Sequence, residues 1–312
     1  CIIDDIKTIR PIFKLSGQLL AAIVAVAFGV RIESINIAFI QTPQLGNIVS
    51  TIVTIIWIVG VTNAINLIDG LDGLSTGISV ISSVSLLIIF VLNGSPTVAL
   101  ILITALAGAL VGFLPFNFSP AKTFIGDTGS NFLGYAISII AILGMAKTYT
   151  LAVIILPLIV LGLPIFDTLW AIIRRLIKGK SIKAIFKADK GHLHHKIVAR
   201  GFSQKQAVLI LYGISATFGL FAIILFDSGI WKALSFLLMV IVAIGLGYKN
   251  FQQTHLENNE RFECIECKYI YNPKFGNEKA GIKPGTQFDE LPEDWVCPVC
   301  GEGKDMFQEM TR

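Results

Sequence analysis

Long apolar runs separated by short polar stretches organise most of this chain. The runs cover about 15–30, 46–62, 74–93, 96–115, 129–146, 149–172, 205–227 and 229–248. All but the short first one approach the roughly 20 residues that a helix needs to cross a ~30 Å hydrocarbon core. They are continuous rather than alternating in polarity, so they predict helices and not strands. One all-round apolar helix is also at home in a soluble core, but eight in succession point to a bilayer. The expected fold is an all-α polytopic membrane protein with about eight transmembrane helices. From residue 251 the pattern stops: the tail is polar, contains Gly and Pro, and holds four of the five cysteines. That shift predicts a membrane domain over 1–250, a linker over 251–260 and a small C-terminal domain over 261–312.

Composition agrees. The chain is 54% hydrophobic and 15% charged, against about 25% charged in soluble domains. The net charge of +4 matters mainly through its placement. Threading the eight runs through a membrane puts Lys7, Arg10, Lys14, Lys122, Arg174, Arg175, Lys178 and Lys249 on one side, with few cations on the other. The positive-inside rule makes that side cytoplasmic. The chain opens on Cys1 and an apolar pair, which reads as the tail of something longer.

The polar clusters fall on the same side. Asp4 and Asp5 are adjacent, with Lys14 and Gln18 downstream; taken alone they are an ordinary solvated pair. The segment Asn63–Gly77 reads N-A-I-N-L-I-D-G-L-D-G-L-S-T-G. An Asp at the bilayer centre costs about 2.5–3.5 kcal/mol. A simple turn does not need Asn63, Asn66, Asp69 and Asp72 together, so they are expected to line a site. A third cluster runs from Pro115 to Ser130 and contains Lys122 and Asp127. Asp127 before an apolar run suits a helix cap, but a helix N-terminus is also an anion site. The fourth follows P-I-F-D-T at 164–168, with Arg174 and Arg175, and ends in Asp189-Lys190-Gly191-His192-Leu193-His194-His195. Neighbouring cations point to a phosphate-rich ligand rather than zinc, because no Cys or carboxylate sits at standard zinc spacing. Oxygen ligands with few soft donors suit Mg²⁺ or Mn²⁺. A hard cation with Lys and Arg is equipment for phosphoryl transfer.

Four blocks in order carry a resemblance. They are I-D-D-I-K with Lys14 and Gln18; N-A-I-N-L-I-D-G-L-D-G-L; P-F-N-F-S-P-A-K-T-F-I-G-D-T-G-S; and P-I-F-D-T with R-R and D-K-G-H-L-H-H. The stretch 1–250 resembles the polyprenyl-phosphate N-acetylhexosamine-1-phosphate transferases of glycosyltransferase family 4. The form H-L-H-H is similar to the branch that uses UDP-GlcNAc. The resemblance implies transfer of N-acetylglucosamine-1-phosphate from UDP-GlcNAc to undecaprenyl phosphate, releasing UMP, at the cytoplasmic face of a bacterial plasma membrane. It implies Asp4, Asp5, Asp69 and Asp72 as catalytic acids. Asp127 and Asn66 are implied as Mg²⁺ ligands. Lys14, Asn63, Asn66, Lys122, Arg175, His192, His194 and His195 are the implied substrate-binding residues. The family usually has about three more helices before the Asp pair, so the chain is expected to be truncated. A homodimer is a further expectation; a nucleic-acid partner is not.

The tail is equally specific. Cys264-x-x-Cys267 and Cys297-x-x-Cys300 are a tetrahedral S₄ signal for iron or zinc. Segment 261–311 resembles rubredoxin, which implies one iron, one-electron transfer and a redox partner; a zinc ribbon is the alternative. Tyr269, Tyr271, Phe288, Trp295 and Phe307 are the expected aromatic core, and Lys268 stands where the first knuckle usually has Gly. Two other functions remain open. An ion-coupled transporter needs acids near helix midpoints. A membrane-anchored electron-transfer protein needs a second redox centre in the membrane.

Overall fold

The computed structural model describes residues 11–32, 46–145, 152–179, 191–199, 202–243 and 261–309, the last without 274, 278, 279, 284 and 287. The chain divides into two compact units, Cys1–Leu234 and Ser235–Arg312.

The first unit is helical. Its elements are α1 (Pro11–Ala27), α2 (Asn47–Ile68), α3 (Leu74–Leu92), α4 (Thr97–Asn117), α5 (Gly126–Met145), α6 (Ala152–Val160), α7 (Gly162–Gly179), α8 (Leu193–Ala199) and α9 (Gln204–Ser228). Five of them, α2, α3, α4, α5 and α9, are long and apolar enough to cross a membrane. Helix α1 and a helix over Ile230–Ala243 are apolar but shorter. The expected fold class holds, while five of the eight expected spans stand as full-length helices among the described residues.

Local sequence explains the boundaries. Gly73, at φ 78, lets the chain turn from α2 into α3. Ser203 and Gln206 cap α9 reciprocally. The run expected as one span over 149–172 is two helices, broken at Leu161. Pro164 has no N–H to donate to the carbonyl four residues back, so the ladder is interrupted there.

Helix α2 packs along α5, α3 lies against both α4 and α9, and α7 lies against α2. Val61, Ile65, Phe90, Ile103, Ile137 and Met145 belong to the central core. Apolar burial drives little association within lipid, so close backbone approach matters more. A Cβ on Gly134 would lie 2.6 Å from Thr62 Cα. This contact brings the C-terminal part of α2 against α5.

The second unit has a three-stranded antiparallel sheet, order β2-β1-β3, from β1 (Phe262–Cys264), β2 (Ile270–Tyr271) and β3 (Phe307–Glu309). All five expected aromatics are in its core or packed on it, with Ile282 and Leu291. Two loops of the same design present the cysteines. Lys268 N–H donates to Cys264 O and Gly301 N–H to Cys297 O, both at 2.9 Å. Both turns need a left-handed residue: Gly301 has φ 79 and Lys268 φ 62. Lys268 is the one non-glycine with positive φ among the described residues, at a cost of about 1–2 kcal/mol.

The α2–α5 contact predicts a stability difference. Gly134→Val should lower the thermal unfolding temperature of the detergent-solubilised chain, on the scale of about 1–3 kcal/mol of overpacking. Gly108→Ala, whose Cβ meets nothing within 4 Å, should not. Equal losses from the two would count against close packing of α2 on α5.

Candidate active site

Three helix ends converge to make the site. The first turn of α1 brings Lys14, the last turn of α2 brings Asn66, and the first turn of α5 brings Asp127. Lys14 Nζ lies 2.7 Å from Asp127 Oδ2. Asn66 Nδ2 donates to Asp127 Oδ1 at 2.8 Å and to Ser130 Oγ at 2.9 Å. Asp127 sits inside the helix rather than capping it, where its charge also meets the positive end of the α5 dipole. Asn66 spends its amide hydrogens on these contacts, which leaves its carbonyl oxygen as a hard ligand atom. The oxygen donors of Asp127 and Asn66 fit Mg²⁺ or Mn²⁺.

Asp69 follows the end of α2, its N–H donating to Asn66 O. Burial, and after it the Asp127 carboxylate, pushes Asp69 up to about 7. Asp72 accepts from Ala121 N–H at 3.2 Å and so ties the loop after α2 to the loop before α5. Asn63 gives its amide to Gln18 Oε1 at 2.6 Å and to Val59 O at 2.8 Å. Lys122 is exposed and lines a different hollow of about 650 Å³, with Tyr212 and Phe118. Among the residue contacts described, nothing brings it to Asp127. Asp4 and Asp5 lie outside the described residues, as do Asp189 and Lys190.

The histidines are held from α7. Asp167 is 7% exposed. Its carboxylate lies 2.8 Å from His192 Nδ1 and accepts Leu193 N–H at 2.9 Å. Asp167 therefore anchors the ring and the start of α8 together. It was not among the expected site residues, although the P-I-F-D-T block contains it. His194 is 2% exposed, with the His192 ring parallel to it at 5.8 Å and the His195 ring tilted against it at 4.2 Å. It lies so close to Gly70 that a Cβ there would collide with its ring. This close approach joins the His loop to the polar segment after α2. Neither ring nitrogen has a hydrogen-bond partner among the described residues. Burial, then the His195 and His192 rings, holds His194 down to about 4, so it is neutral at about pH 7.

An apolar groove of about 810 Å³ reaches Lys14 and Asn66. Lys14, Asn63, Asn66 and Arg175 line its polar end, and Leu15, Leu19, Ile56, Trp57, Leu158 and Leu169 line the rest. The polar residues come from helix ends and the apolar ones from further along the same helices or their neighbours.

In the second unit Cys264, Cys267, Cys297 and Cys300 place their sulfurs within 4.8 Å of one another. Cys264 and Cys300 are 3.6 Å apart, and Cys267 and Cys297 3.5 Å. A tetrahedron with metal–sulfur bonds of about 2.3 Å has edges of roughly 3.7 Å. The four thiols thus form a ready metal centre.

A polytopic membrane unit with Lys, Asn and Asp side chains meeting at helix ends, followed in sequence by a four-cysteine domain, defines the class. Residues 1–145 match the family model described as glycosyl transferase family 4, and residues 261–307 match that of rubredoxin. The chain carries a glycosyl transferase family 4 domain joined to a rubredoxin domain. A probable undecaprenyl-phosphate N-acetylglucosaminyl 1-phosphate transferase of Bacillus subtilis is 43% identical over 166 residues, 53% of this chain and 45% of the relative. A decaprenyl-phosphate N-acetylglucosaminephosphotransferase of Mycolicibacterium smegmatis is 34% identical over 260 residues, 73% of this chain and 61% of the relative. A high molecular weight rubredoxin of Moorella thermoacetica is 50% identical over 50 residues, 16% of this chain and 22% of the relative. The chain spans about half the length of the Bacillus relative and three fifths of the Mycolicibacterium one.

The depressed His194 has a pH consequence. Between its ordinary value of 6.5 and about 4, the unfolded chain takes up a proton that the folded chain does not. Stability should fall as pH drops through that window. Thermal unfolding in detergent across it should be less pH-dependent in His194→Gln; an unchanged slope would remove His194 as the source.

Proposed function

We propose that the membrane domain transfers N-acetylglucosamine-1-phosphate from UDP-GlcNAc to a polyprenyl phosphate such as undecaprenyl phosphate, releasing UMP. The observation that carries this reading is the meeting of Lys14, Asn66 and Asp127 at the polar end of the apolar groove. A long-chain lipid phosphate needs that combination: charge for the head and an apolar channel for the tail. The relatives' names carry a polyprenyl phosphate and an N-acetylglucosamine phosphate group, which supports the acceptor and the transferred group.

In this reading an oxygen of the lipid phosphate forms the new bond to the sugar-bearing phosphorus, and the diphosphate bond to UMP breaks. Lys14 and Arg175 bind phosphate oxygens. Asp127 and Asn66 would hold Mg²⁺, which would supply neutralisation of diphosphate charge. Asp69, raised to about 7, can take or release a proton at its carboxylate near neutral pH. His192 and its neighbours, anchored by Asp167, orient the sugar and diphosphate, with Asp4, Asp5 and Asp72 completing the acid set. The clustering of Lys and Arg in the loops on one side supports a cytoplasmic site.

Membranes containing the chain should release UMP from UDP-GlcNAc when undecaprenyl phosphate and Mg²⁺ are supplied, and should stop on addition of EDTA. Asp127→Asn should lower turnover about a hundredfold or more, as expected when several kcal/mol of charge stabilisation is lost. Normal turnover in that variant would overturn the metal assignment.

For the tail we infer one iron held by Cys264, Cys267, Cys297 and Cys300, serving electron transfer or redox sensing with a separate redox partner. The purified chain should absorb visible light and contain one iron, and Cys297→Ser should bleach it. A colourless chain holding one zinc would overturn the iron.

A further inference from the structure

A second polar layer lies one helical turn from the Lys14–Asp127–Asn66 contact. Gln18 follows Lys14 by four residues, Asn131 follows Asp127 by four, and Asn63 precedes Asn66 by three. Such spacings put each pair on one helix face. Gln18 is 8% and Asn131 5% exposed. Asn63 Nδ2 donates to Gln18 Oε1 at 2.6 Å, and Gln18 Nε2 donates to Asn131 Oδ1 at 2.7 Å. Asn131 Nδ2 donates to the backbone carbonyl of Asp127 at 2.7 Å. A single relay of amides therefore runs from α2 through α1 into α5 and ends on the residue that presents the Asp127 carboxylate.

Packing alone does not call for this arrangement. Buried amides must all be satisfied or they cost stability, whereas apolar residues of the same size would not. What the relay adds is a fixed register. It sets how far α1 and α5 can slide or rotate against α2, and hence where the Asp127 oxygens point. We propose that Gln18 and Asn131, with Asn63, are positioning residues that hold Asp127 in the geometry needed to bind a divalent cation. This rests on the reading of Asp127 as a metal ligand given above.

The test uses the full chain with its iron in place, in detergent, and Mn²⁺ as probe. Loss of the free-ion Mn²⁺ signal in electron paramagnetic resonance reports binding, and the melting temperature is recorded in parallel. Gln18→Met keeps the side-chain volume without the amide; Gln18→Asn keeps the amide but shortens its reach. Asn131→Ser is the third variant, in case Gln18→Met does not fold. Each folded variant should weaken Mn²⁺ binding about tenfold or more, the scale for partners that orient metal ligands, with melting close to the parent's. Asp127→Asn should abolish the same binding. If Asp127→Asn abolishes binding while the folded variants bind Mn²⁺ as the parent does, the positioning role is overturned and the metal site stands. If Asp127→Asn leaves binding intact, the metal reading falls, and the positioning role with it.

Discussion

The contact between the Lys14 ammonium and the Asp127 carboxylate is the constraint around which the membrane unit is arranged. Its side chains are 24% and 37% exposed, so its energy is modest. Its importance is positional. It joins the start of α1 to the start of α5 at the place where α2 ends. Residues 113 positions apart become neighbours there, and the helices that carry them must stop or start at the same level. The turn at Gly73 and the loop ahead of α5 both follow helix ends that lie at that meeting point.

Much of this was legible in the sequence because the signals are local. Apolar run lengths gave most of the helices, C-x-x-C pairs gave the metal domain, and Lys268 was correctly placed as a residue forced into a glycine's conformation. The unreadable parts are pairings between distant side chains. Nothing near Asp167 announces that it will hold His192, 25 residues on. Gln18 and Asn131 look like ordinary polar interruptions until α1 and α5 are side by side. Lys122 shows the same limit: its neighbours in sequence are expected site residues, and in the fold it lines a separate hollow with Tyr212. The span over 149–172 failed because hydropathy does not register the missing N–H of Pro164.

The two units are held by different physics. In the membrane unit apolar surface has little to gain by leaving lipid, so close backbone approach at Gly134 and amide relays provide specificity. The tail is too small to rest on its aromatic core alone. A metal that ties both cysteine loops together stabilises it directly, and this offsets the strained backbone at Lys268.

The groove beside Asn63 and Asn66 runs along the helices, and this affects how a ligand meets the protein. An amphiphile already dissolved in the bilayer can slide in sideways, tail and head together, without being extracted into water. Occupancy then follows its mole fraction among the surrounding lipids, not its amount per volume of solution. Adding inert lipid or detergent dilutes such a ligand in two dimensions, even when nothing in the aqueous phase has changed.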